Sequence, residues 1–180
     1  MMAMTLPPKF REVLLPFLVL GASLVLILVL SRSPSKATLQ LVGKAAPPLA
    51  FSMAGKEVSL QTFRGRVLLI NFWAGWCAPC LEEMPSLKGL EERLGKKLVM
   101  LAFHVDDMDP TAEKQFQGAT QFPKNLIFRF ERRQLGPYHL GVIPISILVD
   151  GEGVVRQVYV GPQNWLASNI LKDIQEILPP

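Results

Sequence analysis

Two cysteines separated by two residues are the part of this sequence best suited to covalent chemistry. Cys77 and Cys80 are the only cysteines among the 180 residues, so any intramolecular disulfide must join them. A C-x-x-C pair that enters a helix suits reversible thiol–disulfide exchange. One thiol attacks the disulfide of a partner, and the second thiol, one turn later, resolves the mixed disulfide. The spacing therefore predicts a redox site.

The sequence supports other uses of the cysteine pair less well than redox exchange. A zinc site needs four ligands, and the two histidines, His104 and His139, lie far apart in the sequence. A peroxidase would need a Thr or Ser shortly before its reactive cysteine, and residues 72–76 contain neither. A copper chaperone that uses both cysteines and a histidine stays as the alternative function. We predict no metal site and no bound cofactor besides the cysteine pair.

The residues around the pair predict how it is positioned. Residues 67–73 form a short apolar run, typical of a strand buried on both faces. The apolar residues of the next segment recur every three or four positions and predict a helix from Cys77 to Gly95, kinked at Pro85. This places Cys77 at a helix N-terminus, where free N–H groups and the helix dipole favour a thiolate with a lowered pKa. Cys80 lies one turn further in and suits the resolving role.

The remaining pattern predicts an α/β fold with a mixed central sheet flanked by helices. A short edge strand is predicted at 58–60, further strands at 98–105, 126–130, 145–149 and 154–160, and helices at 109–120 and 164–178. Strands that alternate with helices should be parallel, and the turn at 150–153 predicts an antiparallel hairpin. Four apolar residues should form the buried face of the last helix: Leu166, Ile170, Ile174 and Ile177.

The chain begins with an apolar segment that predicts a membrane anchor. Residues 13–30 carry no charge and are numerous enough to cross a bilayer as one helix. We predict a short tail at 1–12, a transmembrane signal anchor at 13–30, a linker at 31–40 and one soluble domain at 41–180. Cleavage after the small-x-small pattern at 35–37 is the alternative. Flanking charges are nearly balanced, so they do not fix the orientation.

Composition argues against a nucleic-acid partner. The net charge is +4, the isoelectric point is about 9.2, and part of the positive charge flanks the apolar segment. The short basic runs at 96–97 and 132–133 are typical of solvated turns. The aspartates at 106, 107 and 109 are too few for a calcium site and predict a polar loop and helix cap. His104, in an apolar strand, is predicted to be a hydrogen-bonded core residue.

The segment NFWAGWCAPCLEEMP at 71–85 resembles the active-site segment of thioredoxin-like proteins. It is most similar to the membrane-anchored, extracytoplasmic branch known as the TlpA/ResA/CcmG-like family. The resemblance covers about residues 41–180. It implies a thioredoxin-like fold and a disulfide-exchange activity.

The resemblance also implies roles for individual residues. Trp76 matches the aromatic residue before the nucleophile. Pro144 matches a cis-proline that faces the disulfide, which would present the backbone of Ile143 to a substrate strand. Glu83 matches an acidic residue that could relay protons to Cys80. Asn71 replaces the buried aspartate of cytoplasmic thioredoxins, so base work must lie elsewhere, and Glu83 is the better candidate.

The biological setting follows from the same resemblance. It implies a single-pass protein of the cytoplasmic membrane with its catalytic domain on the periplasmic side. Its partners would be protein thiols or disulfides, such as apocytochrome c or copper-site proteins, together with a membrane electron donor and the lipid bilayer. We expect a reductase that serves cytochrome c maturation or a related assembly pathway.

Overall fold

A computed structural model describes residues 38–53, 55–106, 127–128 and 132–179. The predicted anchor at 13–30 and the predicted helix at 109–120 lie outside these residues. None of the helices in these described ranges has the length and apolar character that a membrane span requires.

Seven strands and two α-helices make up the described part of the domain. The strands are β1 (Ala50–Met53), β2 (Lys56–Ser59), β3 (Val67–Trp73), β4 (Leu98–His104), β5 (Ile127–Phe128), β6 (Ile145–Val149) and β7 (Val155–Val160). The α-helices are α1 (Ala78–Leu94) and α2 (Ser168–Gln175). Short 3-10 helices cover Leu60–Phe63, Gly95–Lys97 and Arg132–Tyr138.

The central sheet is mixed, as predicted. Its strand order is β5-β4-β3-β6-β7. β3 pairs with β4 in parallel and with β6 in antiparallel fashion, and β6 and β7 form the predicted hairpin. β1 and β2 form a separate antiparallel pair. The predicted edge strand at 58–60 is therefore shifted towards the N-terminus, and Leu60 begins a 3-10 helix instead.

All seven residues of β3 are buried, and their alternation divides the core in two. Leu69 and Trp73 point to the face that packs against α1 and α2, whereas Ile70 and Phe72 point to an aromatic cluster on the opposite face. The aromatic cluster also includes Phe51, Phe103, Phe128 and Tyr138. The central strand is thereby fixed on both sides, and its C-terminal end leads into the cysteine pair.

α1 begins and ends where the sequence predicts. Cys77 is its N-cap and Gly95, with a φ of 49°, is its C-cap. Met84, Leu87 and Leu90 are fully buried on its inner face. Pro85 lies inside the helix and does not end it.

The last helix is shorter than predicted. It covers Ser168–Gln175 rather than 164–178, because Asn164 Oδ1 accepts the backbone N–H of Leu166 and holds the chain in a turn. The expected burial of Leu166 is wrong, since this side chain is 42% exposed. Trp165 is fully buried in its place, while Ile170 and Ile174 are buried as predicted.

Candidate active site

The cysteine pair forms a disulfide where β3 passes into α1. The backbone N–H of Cys80 donates to Cys77 Sγ at 3.3 Å, so the helix N-terminus directs a donor at the first sulfur. Cys77 retains 4% exposure and Cys80 none. The predicted order of access is correct, but the margin is small in the disulfide state.

A proline loop lies directly across from the disulfide. The Ile143–Pro144 peptide bond is cis, as the resemblance implies. The carbonyl oxygen of Ile143 lies 3.7 Å from Cys77 Sγ. The loop is held there because β6, which starts at Ile145, pairs with β3. A partner chain that reaches Cys77 would therefore also reach the backbone of Ile143.

An open apolar groove adjoins the first cysteine. Its volume is about 480 Å³, and its lining residues are Trp76, Val105, Leu135, Leu140, Gly141, Val142 and Ile143. Trp76 is 72% exposed, which is high for so large an apolar side chain. No charged side chain is among the lining residues. The groove can therefore take an apolar side chain next to the disulfide.

Glu83 is buried on the inner side of α1, in the second turn of the helix. It is 2% exposed, and both carboxylate oxygens have donors. Oε1 accepts Asn71 Nδ2–H at 2.9 Å, and Oε2 accepts the backbone N–H of Gln163 at 3.0 Å and the indole N–H of Trp165 at 3.2 Å. Burial raises the pKa of Glu83 from 4.5 to about 6, although these three donors each act to lower it.

The hydrogen bonds of Asn71 continue towards the proline loop. Asn71 Nδ2 also donates to Ser146 Oγ at 2.8 Å, and Ser146 lies two residues after Pro144. Asn71 is itself fully buried. Asn71 is therefore more than the replacement of an acid, because its amide connects Glu83 to Ser146. Its amide donates to the buried carboxylate of Glu83.

The two neighbouring glutamates of α1 lie in different environments. Glu82 is exposed, whereas Glu83 is buried. The helix turns the two side chains in different directions, since adjacent residues lie about 100° apart around its axis. Glu82 is therefore a matched control for Glu83.

The two histidines lie outside this group. His104 is a buried, hydrogen-bonded residue, as predicted, and its Nδ1 lies 2.8 Å from the carbonyl oxygen of Asp106. His139 is exposed, and its carbonyl oxygen accepts the hydroxyl of Thr38. In the described part of the chain, no group of three or more His, Cys, Asp or Glu residues could hold a metal ion.

Three partners of the site were not predicted from the sequence: Ser146, Gln163 and Trp165. Gln163 and Trp165 lie 80 and 82 residues from Glu83 in the chain, so no local spacing indicates the contact. The one available signal was an aromatic residue in the turn before the last helix. The helical pattern instead favoured its neighbour, Leu166.

Comparison with known proteins agrees with the geometry. The Redoxin family model matches residues 41–174. ResA, a thiol-disulfide oxidoreductase of Bacillus thuringiensis, is 32% identical over 126 residues, which cover 68% of this chain and 71% of ResA. ResA of Geobacillus kaustophilus is 31% identical over 142 residues, or 77% of this chain and 79% of its own.

Solved structures show the same fold. A Chlorobium tepidum protein assigned as thiol:disulfide interchange protein DsbE superposes with a TM-score of 0.66 at 22% identity, covering 77% of this chain and 98% of its own. The thioredoxin domain of a Bacteroides vulgatus thiol-disulfide oxidoreductase gives 0.63 at 20% identity, with coverages of 77% and 98%. Together with the cysteine pair and its cis-proline, the matches show that this chain belongs to the Redoxin family, as a thioredoxin-fold thiol-disulfide oxidoreductase of the TlpA/ResA/CcmG-like kind.

Proposed function

We propose that this protein is an extracytoplasmic reductase of protein disulfides, anchored by residues 13–30, that serves cytochrome c maturation or a related assembly pathway. One observation carries the proposed chemistry. Cys77, at a helix N-terminus, faces the carbonyl oxygen of Ile143 in the proline loop, while Cys80 lies deeper, three residues before a buried carboxyl group.

The reaction begins with both cysteines reduced. The Cys77 thiolate attacks one sulfur of the partner's disulfide, and the other sulfur of the partner leaves as a thiolate that takes up a proton. The N–H of Cys80, directed at Cys77 Sγ, stabilises the attacking charge. The product of this step is a mixed disulfide between Cys77 and the partner.

Cys80 then resolves the mixed disulfide. The Glu83 carboxylate accepts the proton of the Cys80 thiol, and the new thiolate attacks Cys77 Sγ. The second partner sulfur leaves as a thiolate, so the partner gains two electrons and the domain is left with the Cys77–Cys80 disulfide. Helical i, i+3 spacing makes the two side chains neighbours. With a pKa near 6, Glu83 can both accept and return a proton near neutral pH.

The groove and the proline loop supply the contact surface for a protein substrate. An extended segment of the partner can pair with the backbone of Ile143, while an apolar side chain near its cysteine enters the groove beside Trp76. Backbone pairing at Ile143 together with an apolar groove favours an extended protein segment as substrate over a small-molecule disulfide. It supports protein disulfides as the substrate class.

The family resemblance supports the rest of the assignment. Apocytochrome c and copper-site proteins are the proposed substrates, and a membrane electron donor reduces the Cys77–Cys80 disulfide after each turnover. No bound cofactor takes part, because the cysteine pair is itself the redox group. The uncharged apolar run at 13–30 supports a single-pass location in the cytoplasmic membrane, with the catalytic domain on the periplasmic side.

Cysteine variants test the proposed chemistry. Cys77→Ser should abolish exchange with a protein disulfide, whereas Cys80→Ser should accumulate mixed disulfides, visible on a non-reducing gel. The physical reason is that Cys77 makes the intermolecular bond and Cys80 breaks it. Trapping by Cys77→Ser but not by Cys80→Ser would reverse the assignment of the two roles.

A labelling experiment tests the location. After mild reduction of intact cells, a membrane-impermeant thiol reagent should label Cys77 in a protein that fractionates with the membrane. A Cys77→Ser variant is the control for labelling at Cys80. Soluble protein that starts near residue 38 would show a cleaved signal instead. The reduction potential of the purified protein then tests direction, since a low value supports a reductase.

A further inference from the structure

The loop between β7 and α2 delivers two of the three hydrogen bonds to Glu83. The backbone N–H of Gln163 and the indole N–H of Trp165 both end on Oε2. Trp165 is fully buried and belongs to the apolar cluster that contains Cys77 and Cys80. A loop distant in sequence is thus part of the environment of the proposed proton acceptor.

Several contacts fix the position of this loop. The Ser86 hydroxyl lies 3.2 Å from the carbonyl oxygen of Gln163 and accepts the backbone N–H of Trp165 at 3.2 Å. The side chain of Gln163 donates back to the carbonyl oxygen of Gly161 at 3.0 Å. The ring of Tyr159 packs edge-on against Trp165, with centroids 5.2 Å apart. The packing of the loop therefore fixes the position of the indole N–H, which is buried away from solvent.

The three N–H donors do not stabilise the charged and the neutral form of the Glu83 carboxyl group equally. An N–H group stabilises a carboxylate but offers nothing to the proton of a carboxylic acid. We propose that Trp165 is a positioning residue for exchange: its indole N–H orients Glu83 and favours the carboxylate, the form that accepts the proton of Cys80. This inference rests on the acid–base role proposed above for Glu83.

Titratable groups on the surrounding elements have partners of their own. Cys80 lies on α1 and is held in the disulfide. His104, at the end of β4, contacts Asp106, and the Tyr159 hydroxyl on β7 donates to Asp173 on α2 at 2.9 Å. In the oxidised protein the cysteines do not titrate, so the titration of Glu83 can be measured without coupling to a thiol.

A titration of the full-length, oxidised protein tests the contact. With ¹³C-labelled glutamate, the Glu83 carboxyl resonance is the one that disappears in Glu83→Gln. Trp165→Phe keeps an aromatic ring and removes the N–H, and it should raise the pKa of Glu83 by about one unit, the effect of losing one hydrogen bond to a charged group. Tyr159→Phe, which leaves all three donors to Glu83 in place, should not change it.

The same variant predicts a kinetic signature. In Trp165→Phe, the rate of resolution of a mixed disulfide should keep its shape against pH and move to higher pH by the shift seen in the titration. A purely structural role for Trp165 would lower the rate at all pH values alike. If Trp165→Phe does not fold, replacement of Trp165 by benzothienylalanine, which has the same shape without the N–H, makes the same test.

The proposal is overturned if neither replacement moves the pKa of Glu83 by more than about 0.2 units, a change too small for a lost hydrogen bond to a charge. The titration tests the Trp165 contact, and the kinetics of Glu83→Gln test the acid–base role of Glu83. The two ideas can therefore fail separately.

Discussion

Two carboxyl groups are buried in the described part of this domain, and their pKa values move in opposite directions. Glu83, 2% exposed, lies behind the disulfide, and Asp150, 8% exposed, lies in the β6–β7 turn. Burial raises the pKa of Glu83 to about 6. Burial also acts to raise the pKa of Asp150, but hydrogen bonds and charge outweigh it, and the pKa is lowered below 3.8.

The two groups differ in the depth of burial and in the charge of their partners, not in the number of donors. Each accepts two or more hydrogen bonds from N–H groups; for Asp150 two of them come from the backbone of Glu152 and Val154, both at 2.9 Å. Asp150 also has the guanidinium of Arg156, whereas the donors to Glu83 are all neutral. A cation fixes a carboxylate in its charged form. Neutral donors around a buried carboxyl group allow it to bind and release a proton near neutral pH, as the pKa of Glu83 indicates.

The largest expected effect separates the two carboxyl groups by function. Glu83→Gln should slow exchange by about 10- to 100-fold, since the Gln side chain cannot accept the Cys80 proton. Stopped-flow kinetics with a protein disulfide give the rates. Glu82→Gln, on the exposed side of α1, and Asp150→Asn should leave the rate nearly unchanged. Equal effects from Glu82→Gln and Glu83→Gln would show that Glu83 has no specific role in exchange.

The second prediction uses the opposite directions of the pKa shifts. Since the folded-state pKa of Glu83 is raised from 4.5 to about 6, the folded state binds more protons than the unfolded state across that window. The free energy of unfolding should therefore fall by about 2 kcal/mol as pH rises from below 4.5 to above 6. Denaturant titrations at several pH values measure it, and Glu83→Gln should remove this slope while Asp150→Asn keeps it.

The smallest expected effect concerns the turn. Asp150→Asn should lower the free energy of unfolding at neutral pH by about 1–2 kcal/mol, because an amide cannot replace the charge that faces the half-exposed Arg156. The lowered pKa of Asp150 contributes stability above 3.8 that is lost as pH falls through its folded-state value. Asp150→Asn should therefore flatten the acid side of the stability curve. An unchanged acid side would mean that Asp150 is not the group responsible.

Local patterns in the sequence predicted the parts of this site that are close together in the chain. The start of α1 at Cys77 and its end at Gly95 follow from caps and apolar spacing. Pro144 and Glu83 are identified by resemblance. The cis bond before Pro144 confirms the expected proline loop, whereas the role of Glu83 in proton transfer stays a prediction.

Contacts across the fold could not be predicted in this way. Periodicity extended the last helix to residue 164 and so assigned burial to Leu166, whereas the Asn164 turn exposes Leu166 and turns Trp165 inwards. The sequence indicates only that Asn71 replaces an acid. Its contact with Glu83 depends on the packing of β3 against α1, which no local pattern predicts. Single-sequence patterns contain no information about such pairings.

The assembly of the Glu83 environment has a consequence for protein engineering. Glu83 lies on α1 and its hydrogen-bond donors lie on β3 and on the loop after β7, three segments that only the finished fold brings together. Grafting the five residues at 76–80 onto another thioredoxin-fold scaffold would transfer the disulfide but not the proposed acid–base partner, Glu83. A working transplant has to be discontinuous, and its smallest unit is the motif together with Asn71, Glu83 and the turn that ends in Trp165.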